Sequence, residues 1–397
     1  MLQRSNCLFY WTLEKVNMKT LVFLSKYDVN DQIDRSGIPY SIYHTLKKHY
    51  NVIWVKPEIT SRLKLFLLFV ERCFWKIIGL GRWKTMIWQT PLICYFHSKS
   101  VQKQIENLEF DGIFAIDYVD YAFLNCKKPI FFRTDSVLSG YFDYYAFGVS
   151  KMLQKVAYKM QSIANSKITY MFAASKWVAE CNRNNEQCVP EAKIKIVKTG
   201  ANLSFDYIKY TPKKYCLTNV LELLFVGFDL KRKGIDEAIE TVQILNEKYK
   251  VKACLKIIGG KPEDRILKNK YVKYIGKLDK NNQKEFDLFY NEFASSDLFL
   301  FPTKAECHGI VNCEAAAYGL PIFSYQTGGV PDYVIDGVNG RLLPLDARGE
   351  DFANIIFESL KKGDMEKYSI ESRRLYLEEY NWDVWLGNVS SYIDSVL

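Results

Sequence analysis

Residues 297–344 read DLFLFPTKAECHGIVNCEAAAYGLPIFSYQTGGVPDYVIDGVNGRLLP. This order of residue types constrains the fold more than any other part of the chain. An apolar run over residues 297–301 meets Pro302. A polar loop with Glu306 and Gly309 follows, and then a helical stretch carries Glu314. A second apolar run over residues 321–324 ends at the Gly328-Gly329 turn. Two short apolar strands separated by a helix lie parallel in one sheet, because the helix is the crossover between them. The start of that helix presents free N–H groups and the positive end of its dipole, which suits phosphate or sugar oxygens. Two carboxylates, Glu306 and Glu314, flank it eight positions apart.

Both halves of the chain repeat this strand–helix alternation, the pattern of a parallel α/β sheet. In the first half, strands are expected at residues 21–24, 51–55, 112–116, 129–133 and 169–173. A long loop after the first ends at Ser36-Gly37, and a helix runs on through Leu46. In the second half, a strand is expected near residues 221–227, a helix over 235–249, strands over 254–259 and 272–276, and a helix over 283–295. Residues 204–219 are polar, with one Pro and three lysines, and read as a linker. A chain of 397 residues is long enough for two or three domains with sizeable cores.

Composition narrows the class. At 48% hydrophobic and 25% charged, the chain is globular. The ten cysteines are scattered without zinc-ligand spacing and histidine is rare, so reduced, packed thiols in a cytosolic protein are expected. Residues 1–200 hold 28 Lys+Arg against 16 Asp+Glu, a net of +12, and the remainder is −3. A positive N-terminal half fits an anionic membrane surface or an anionic lipid-linked acceptor. No zinc finger, RNA-binding signature or basic tail accompanies it, so no nucleic acid partner is expected. The most apolar run, residues 65–70, is far short of the roughly 20 residues needed to span a bilayer. Residues 1–17 lack a signal-peptide core and cleavage site, and Met18 is expected to be the natural start.

Glu306, Glu314, Gly319-Leu320-Pro321 and Gly328-Gly329-Val330-Pro331 together resemble the signature of retaining glycosyltransferases of family 4. These enzymes have the GT-B fold, whose C-terminal domain is the "glycosyl transferases group 1" type. The resemblance is continuous over residues 221–397 and thinner over 18–142 and 163–202. It implies two Rossmann-like, doubly wound domains facing a central cleft, with a C-terminal helix crossing back to the first domain. The implied boundaries are an acceptor-binding domain at 18–203, a linker at 204–220, a nucleotide-sugar domain at 221–381 and a returning helix at 382–397. Asn381-Trp382 resembles the family's start of that helix.

The motif from Gly227 to Gly234, GFDLKRKG, follows a strand and precedes a helix. Arg232 and Lys233 lie where ligands bind in open α/β sheets, at strand carboxyl ends. Read alone, they are also what a solvated basic turn contains. The family uses Arg and Lys in this loop for the diphosphate, so the resemblance assigns Arg232 and Lys233 to the leaving group, whose charge grows as the glycosidic bond breaks. Fixed cations there are worth about 3–4 kcal/mol. Relatives often carry Arg where this chain has Phe228.

The resemblance also implies that Glu314, early in its helix, accepts ribose hydroxyls, and that Glu306 contacts the donor sugar. The backbone of His308, Gly309, Ile310 and Val311 would hold sugar hydroxyls or a phosphate oxygen. His308 departs from the Phe common in relatives and reads either as a packing substitute or as a proton-transfer group. In the first half, Gly37 belongs to a glycine loop or to a plain turn. Asp135, in Thr134-Asp135-Ser136 and followed by Tyr144-Tyr145, either orients substrate hydroxyls or caps the next helix.

A stretch within residues 61–78 is amphipathic on a helical wheel. Leu63, Phe66, Leu67, Val70, Phe74, Ile77 and Ile78 form one stripe. Leu65, Leu68, Phe69 and Trp75 share the other face with Arg62, Lys64, Glu71, Arg72 and Lys76. It reads equally as a core helix with apolar flanks and as a basic, aromatic helix lying on a bilayer.

The resemblance therefore implies an enzyme that transfers a hexose-type sugar from a nucleoside-diphosphate sugar (UDP or GDP) to a saccharide or glycolipid acceptor. The expected setting is cell-surface polysaccharide or glycolipid synthesis, in the cytoplasm or peripheral on the inner membrane face. No metal and no other cofactor is expected, since no Asp-x-Asp stands at a strand end and Arg232 and Lys233 can neutralise the diphosphate. Two rivals stand beside it, a sugar-nucleotide epimerase on the same fold and a non-catalytic scaffold.

Overall fold

The computed structural model describes residues 18–77, 89–184, 188–203, 208 and 210–397. The expectation about Met18 and the segment before it lies outside these residues, as does Ile78. The chain divides into two compact units. The first draws on Met1–Ala173, Ala179–Val197 and Leu386–Leu397, the second on Ala174–Val178 and Lys198–Trp385.

The first unit is built on a six-stranded parallel sheet of β1 (Thr20–Leu24), β2 (Asn51–Val55), β3 (Gly112–Ala115), β4 (Ile130–Thr134), β5 (Tyr170–Ala173) and β6 (Ile194–Ile196). Their order is β2-β1-β3-β4-β5-β6. Leu21, Val22, Phe23 and Leu24 are wholly buried, as expected of a parallel strand covered on both faces. The helices are α1 (Ile38–Leu46), α2 (Ser61–Ile77), α3 (Pro91–Ile105), α4 (Lys151–Asn165) and α5 (Lys176–Arg183), the last shared between the units. Helix α4 is capped by Ser150, whose hydroxyl accepts from the Leu153 N–H at 3.2 Å.

The second sheet holds β7 (Leu221–Gly227), β8 (Ala253–Gly259), β9 (Val272–Gly276), β10 (Leu298–Phe301), β11 (Ile322–Tyr325) and β12 (Gly340–Leu343). Its order is β12-β11-β10-β7-β8-β9, all parallel. Numbered from β7, this is the doubly wound dinucleotide-fold order, and its switch point lies between β7 and β10. Side chains alternate along the strands between two cores. Leu224, Phe299 and Phe301 enter one, Leu223, Phe225, Leu298 and Leu300 the other. Each such burial is worth about 1.5–3 kcal/mol. The first core is covered by α7 (Gln283–Ser295) through Phe286, Phe289, Tyr290 and Phe293, a single helical stripe. The second is covered by α6 (Ile235–Glu247) through Ile235, Ala238, Ile239, Val242 and Leu245.

Helix α8 (Ile310–Ala317) joins β10 to β11, and α9 (Gly349–Lys362), α10 (Asp364–Glu378) and α11 (Trp382–Asp394) complete the chain. The side chain of Asn381 caps α11 by accepting from the N–H groups of Asp383 and Val384 at 3.0 and 2.9 Å. Residues from Leu386 onward belong to the first unit. There Tyr392 packs on Tyr170 and Phe172 of β5, and Asp394 accepts from the Tyr50 hydroxyl at 2.7 Å.

Helix α2 forms as expected, but its faces differ from the expected wheel. Among the described side chains of the proposed stripe, Leu67 alone is buried, while Phe66, Val70 and Phe74 are exposed together with Leu65 and Phe69. Leu65, Phe66 and Phe69 expose 67%, 61% and 65% of their surface. At 100° per residue these five apolar side chains occupy an arc of about 180°, with Arg62 inside it and Arg72 at its edge. Periodicity identifies an apolar face and cannot say which apolar face meets the core, so this exposure selects between the two readings of the helix. Among the described residues, no helix is long and apolar enough to cross a membrane, and the described cysteines are free thiols.

Candidate active site

The switch point of the second sheet brings two loops together. One follows β7 and contains residues 228–234, and the other follows β10 and contains residues 302–309. Lys233 of the first loop donates a short hydrogen bond to Glu306 Oε2 of the second. Arg232 reaches the same loop, donating from Nη1 to the Ala305 carbonyl at 2.6 Å and lying 3.8 Å from Glu306 Oε2. The Lys304 N–H donates to the Arg232 carbonyl at 2.9 Å. The two sequence motifs are therefore one constellation, with the Glu306 carboxylate and the two cations already paired. The Lys233 ammonium also lies 4.5 Å from the centre of the Phe301 ring.

Glycine is required where Gly227 ends β7. A Cβ there would stand 2.8 Å from Lys233 Cγ, so the missing side chain is the space through which the lysine stem runs. Gly309 has φ +72° and forms the left-handed entry to α8. A side chain at that φ is strained, and its Cβ would meet Asn312 Nδ2 at 2.7 Å.

Glu306 is buried, which by itself would raise its pKa. The adjacent Lys233 and Arg232 outweigh that burial and hold the carboxyl below its ordinary value of 4.5. Its backbone is tied to the Gly-Gly turn, since the Gly329 N–H donates to the Glu306 carbonyl at 3.0 Å. His308 is buried and meets Tyr333 edge-on, with ring centroids 5.6 Å apart. Tyr333 is itself fixed, donating to the Ala174 carbonyl at 2.6 Å and accepting from the Thr199 N–H at 3.0 Å. Ile310 and Val311 form the first turn of α8.

Glu314 is the fifth residue of the eight-residue α8, in the middle of the helix and not early in it as expected from the sequence. It is nearly fully buried, and Lys280, from the loop after β9, donates to its Oε1 at 2.7 Å. The sequence reading did not find Lys280. Its position just past the carboxyl end of a strand was the available signal, because that is where ligands and their contacts gather in such sheets. It also did not find Asn312, which is wholly buried with neither side-chain amide atom hydrogen-bonded among the described residues.

Asp135 and Gly37 belong to the first unit. Gly37 has φ +76° and is the residue before α1, so it is a left-handed helix entry. Asp135 follows β4. The next helical turn, Leu138–Tyr141, starts after Val137, so Asp135 is not its cap. Its carboxylate instead lies 3.7 Å from Arg133 Nη1 and 4.0 Å from Arg35 Nη2. Tyr144 and Tyr145 make an edge contact at 5.5 Å, and Tyr145 stacks on Tyr141. Phe228 is 60% exposed beside the switch-point loops. Among the described residues, no group of three or more His, Cys, Asp or Glu side chains is arranged to hold a metal.

Residues 213–375 match the family described as Glycosyl transferases group 1. The lipopolysaccharide glucosyltransferase WaaG of Escherichia coli is 28% identical over 161 residues, which are 39% of this chain and 41% of that protein. An uncharacterized 41.2 kDa protein in the cps region of Klebsiella pneumoniae is 27% identical over 162 residues, 39% of this chain and 42% of that one. The chain thus spans less than half the length of these curated relatives. Whole-chain likeness comes from solved structures. The Anabaena protein HepE, in complex with UDP and glucose, superposes with TM-score 0.66 at 15% identity, covering 95% of this chain and 100% of that one. Sucrose-phosphate synthase from Thermosynechococcus elongatus does so with TM-score 0.67 at 12% identity, covering 95% and 98%. The fold is the two-domain α/β fold of the GT-B glycosyltransferases.

Proposed function

We propose that this chain is a retaining glycosyltransferase of family 4. It moves a hexose-type sugar from a UDP- or GDP-sugar to a saccharide or lipid-linked acceptor, in cell-surface polysaccharide or glycolipid synthesis. One observation carries the reading. Arg232, Lys233 and Glu306 meet at the switch point of the second sheet, with Glu314 on the helix that directly follows. The group-1 match over residues 213–375 supports it, and the lipopolysaccharide glucosyltransferase relative favours a surface glycan. UDP is the first donor to test, because HepE was solved with UDP and glucose.

In this mechanism Lys233 and Arg232 bind the diphosphate, Glu314 accepts ribose hydroxyls and Glu306 holds the donor sugar. The backbone of residues 308–311 contacts phosphate and sugar oxygens, and Gly227 leaves room for the Lys233 stem. The bond from the anomeric carbon to the β-phosphate oxygen breaks, and the acceptor oxygen bonds to the same carbon on the same face. The acceptor proton passes to the departing phosphate oxygen, and Asp135 orients the hydroxyls involved. Arg232 and Lys233 stabilise the charge that develops, so the reaction proceeds without a metal.

Helix α2 supports a second element of the reading, contact with an anionic bilayer on its cytoplasmic face. Its apolar arc with Arg62 and Arg72 has the composition of an interfacial helix.

The test is calorimetric titration of UDP, GDP and ADP in EDTA, on the wild type and on Glu314→Ala, followed by anomeric NMR of the product. Selective binding of one nucleotide, weakened in the variant, and a product with the donor's anomeric configuration are expected. No binding of any nucleotide sinks the assignment, and an inverted product sinks the retaining mechanism.

A further inference from the structure

Asn312 stands in the first turn of α8 and is wholly buried. Neither its amide nitrogen nor its carbonyl oxygen has a hydrogen-bond partner among the described residues. Turning the amide over leaves the same deficit, because both ends are unmatched. A buried amide without partners is costly, and an apolar side chain of similar size avoids that cost. Packing alone therefore gives no reason for an amide at this position.

The amide lies beside Glu306. A Cβ at Gly309 would stand 2.7 Å from Asn312 Nδ2 and 3.0 Å from Glu306 Cγ. The space left by the missing side chain thus has the amide on one side and the glutamate stem on the other. The left-handed backbone of Gly309, at φ +72°, favours glycine and keeps that space clear of a side chain.

The contacts of Glu306 are with groups that a diphosphate also attracts. Lys233 donates to its Oε2, and Arg232 lies 3.8 Å from the same oxygen. His308 is the other titratable group acting on the carboxyl, and its ring is turned edge-on against Tyr333. A diphosphate that takes both cations removes them from Glu306. The glutamate is only 9% exposed, so water is poorly placed to replace them. A buried carboxylate stripped of its partners takes up a proton unless another donor reaches it.

We propose that Asn312 is a positioning residue for Glu306. When the diphosphate draws Lys233 and Arg232 away, the Asn312 amide N–H donates to the Glu306 carboxylate in their place and leaves its second oxygen for the donor sugar. The amide is unmatched in the ligand-free chain because its partner is released only when the ligand arrives. This exchange rests on the glycosyltransferase reading above.

The test uses the full chain as wild type, Asn312→Leu and Asn312→Ala. Each is titrated calorimetrically with UDP, or with GDP or ADP if one of these binds instead, and each is unfolded by heat. Titration near neutral pH in two buffers of different ionisation enthalpy gives the protons taken up on binding. At least one variant should unfold within about 4 °C of wild type, because the amide makes no hydrogen bond in the ligand-free fold. That variant should bind the nucleotide about tenfold more weakly, the effect of leaving a buried polar group unpaired. It should also take up about half a proton or more beyond wild type, since Glu306 has lost its replacement donor and protonates. In a Glu306→Gln background, with no carboxylate to protonate, Asn312→Leu should add no proton.

A folded variant with wild-type affinity and wild-type proton uptake overturns the role. Weaker binding without the added proton overturns it too, because the amide would then act on something other than Glu306. Two variants that both unfold more than about 4 °C below wild type make Asn312 a strut of the fold and overturn the exchange. All three results leave the donor assignment intact if wild type binds a nucleotide. A wild type that binds none of the three nucleotides overturns the donor assignment and the exchange together.

Discussion

Lys280 Nζ lies 2.7 Å from Glu314 Oε1 and 4.2 Å from the centre of the Phe289 ring. A ribose that takes this carboxylate must share it with the lysine or displace it. Residues in one such network do not contribute independently. In a double-mutant cycle on UDP affinity, Glu314→Ala alone should weaken binding about tenfold or more, about 1.4 kcal/mol. With Lys280→Met already present, the same change should cost about 1 kcal/mol less or more, a coupling expected for contacting groups. Strict additivity in the calorimeter would show that the ribose does not use the oxygen held by Lys280.

Lys233 and Glu306 meet across two loops, and the lysine stem passes over Gly227. Lys233→Ala should lower kcat by about 10²–10³, the size seen when a fixed electrostatic group is removed from a transition state. KM for the donor should change much less. Gly227→Ala should reproduce part of that loss without touching the charge, because its Cβ would occupy the lysine's path. Steady-state kinetics with a UDP-sugar read both, and an unchanged kcat in Lys233→Ala removes the residue from the mechanism.

The Glu306 carboxyl is held below its ordinary 4.5 in the folded chain. Protonation therefore favours the unfolded state, which binds its proton at higher pH. The stabilisation from this group is fully present above pH 4.5 and is lost as pH falls through the lower folded value. Urea unfolding followed from pH 7 to pH 3 should show a steeper acid loss in wild type than in Glu306→Gln. Parallel curves would mean that the carboxyl is not held low by Lys233 and Arg232.

On α2, Phe66 and Phe69 are both more than half exposed. Replacing both by Ser should therefore change folding stability by no more than about 0.5 kcal/mol for each. Co-sedimentation with vesicles containing phosphatidylglycerol, at low salt, should fall sharply in this variant if α2 lies on the bilayer. Wild type that stays in the supernatant excludes the membrane contact outright.

The parallel strands were legible in the sequence because both faces are covered, which turns each into an unbroken apolar run such as Leu21–Leu24 or Leu298–Phe301. The edge strands β6 and β12 went unassigned, since IKI and GRLL are short and mix charge with carbon. The Arg232-Lys233 and Glu306-Glu314 motifs were legible as separate motifs. That Lys233 meets Glu306, 73 positions away, and that Lys280 meets Glu314, 34 positions away, are products of crossover geometry and leave no local pattern. Which face of α2 is exposed could not be read from the sequence for a related reason, since both of its faces carry large apolar side chains.

The first unit is discontinuous in the chain, and its last segment begins only at Leu386. A ribosome thus delivers the whole second unit before it releases the residues that place Tyr392 on β5 and Asp394 beside Tyr50. The unit that holds β1 therefore cannot close until every residue of the second has been made, and a chain cut after Trp385 would keep all segments of the second unit and lack the last of the first.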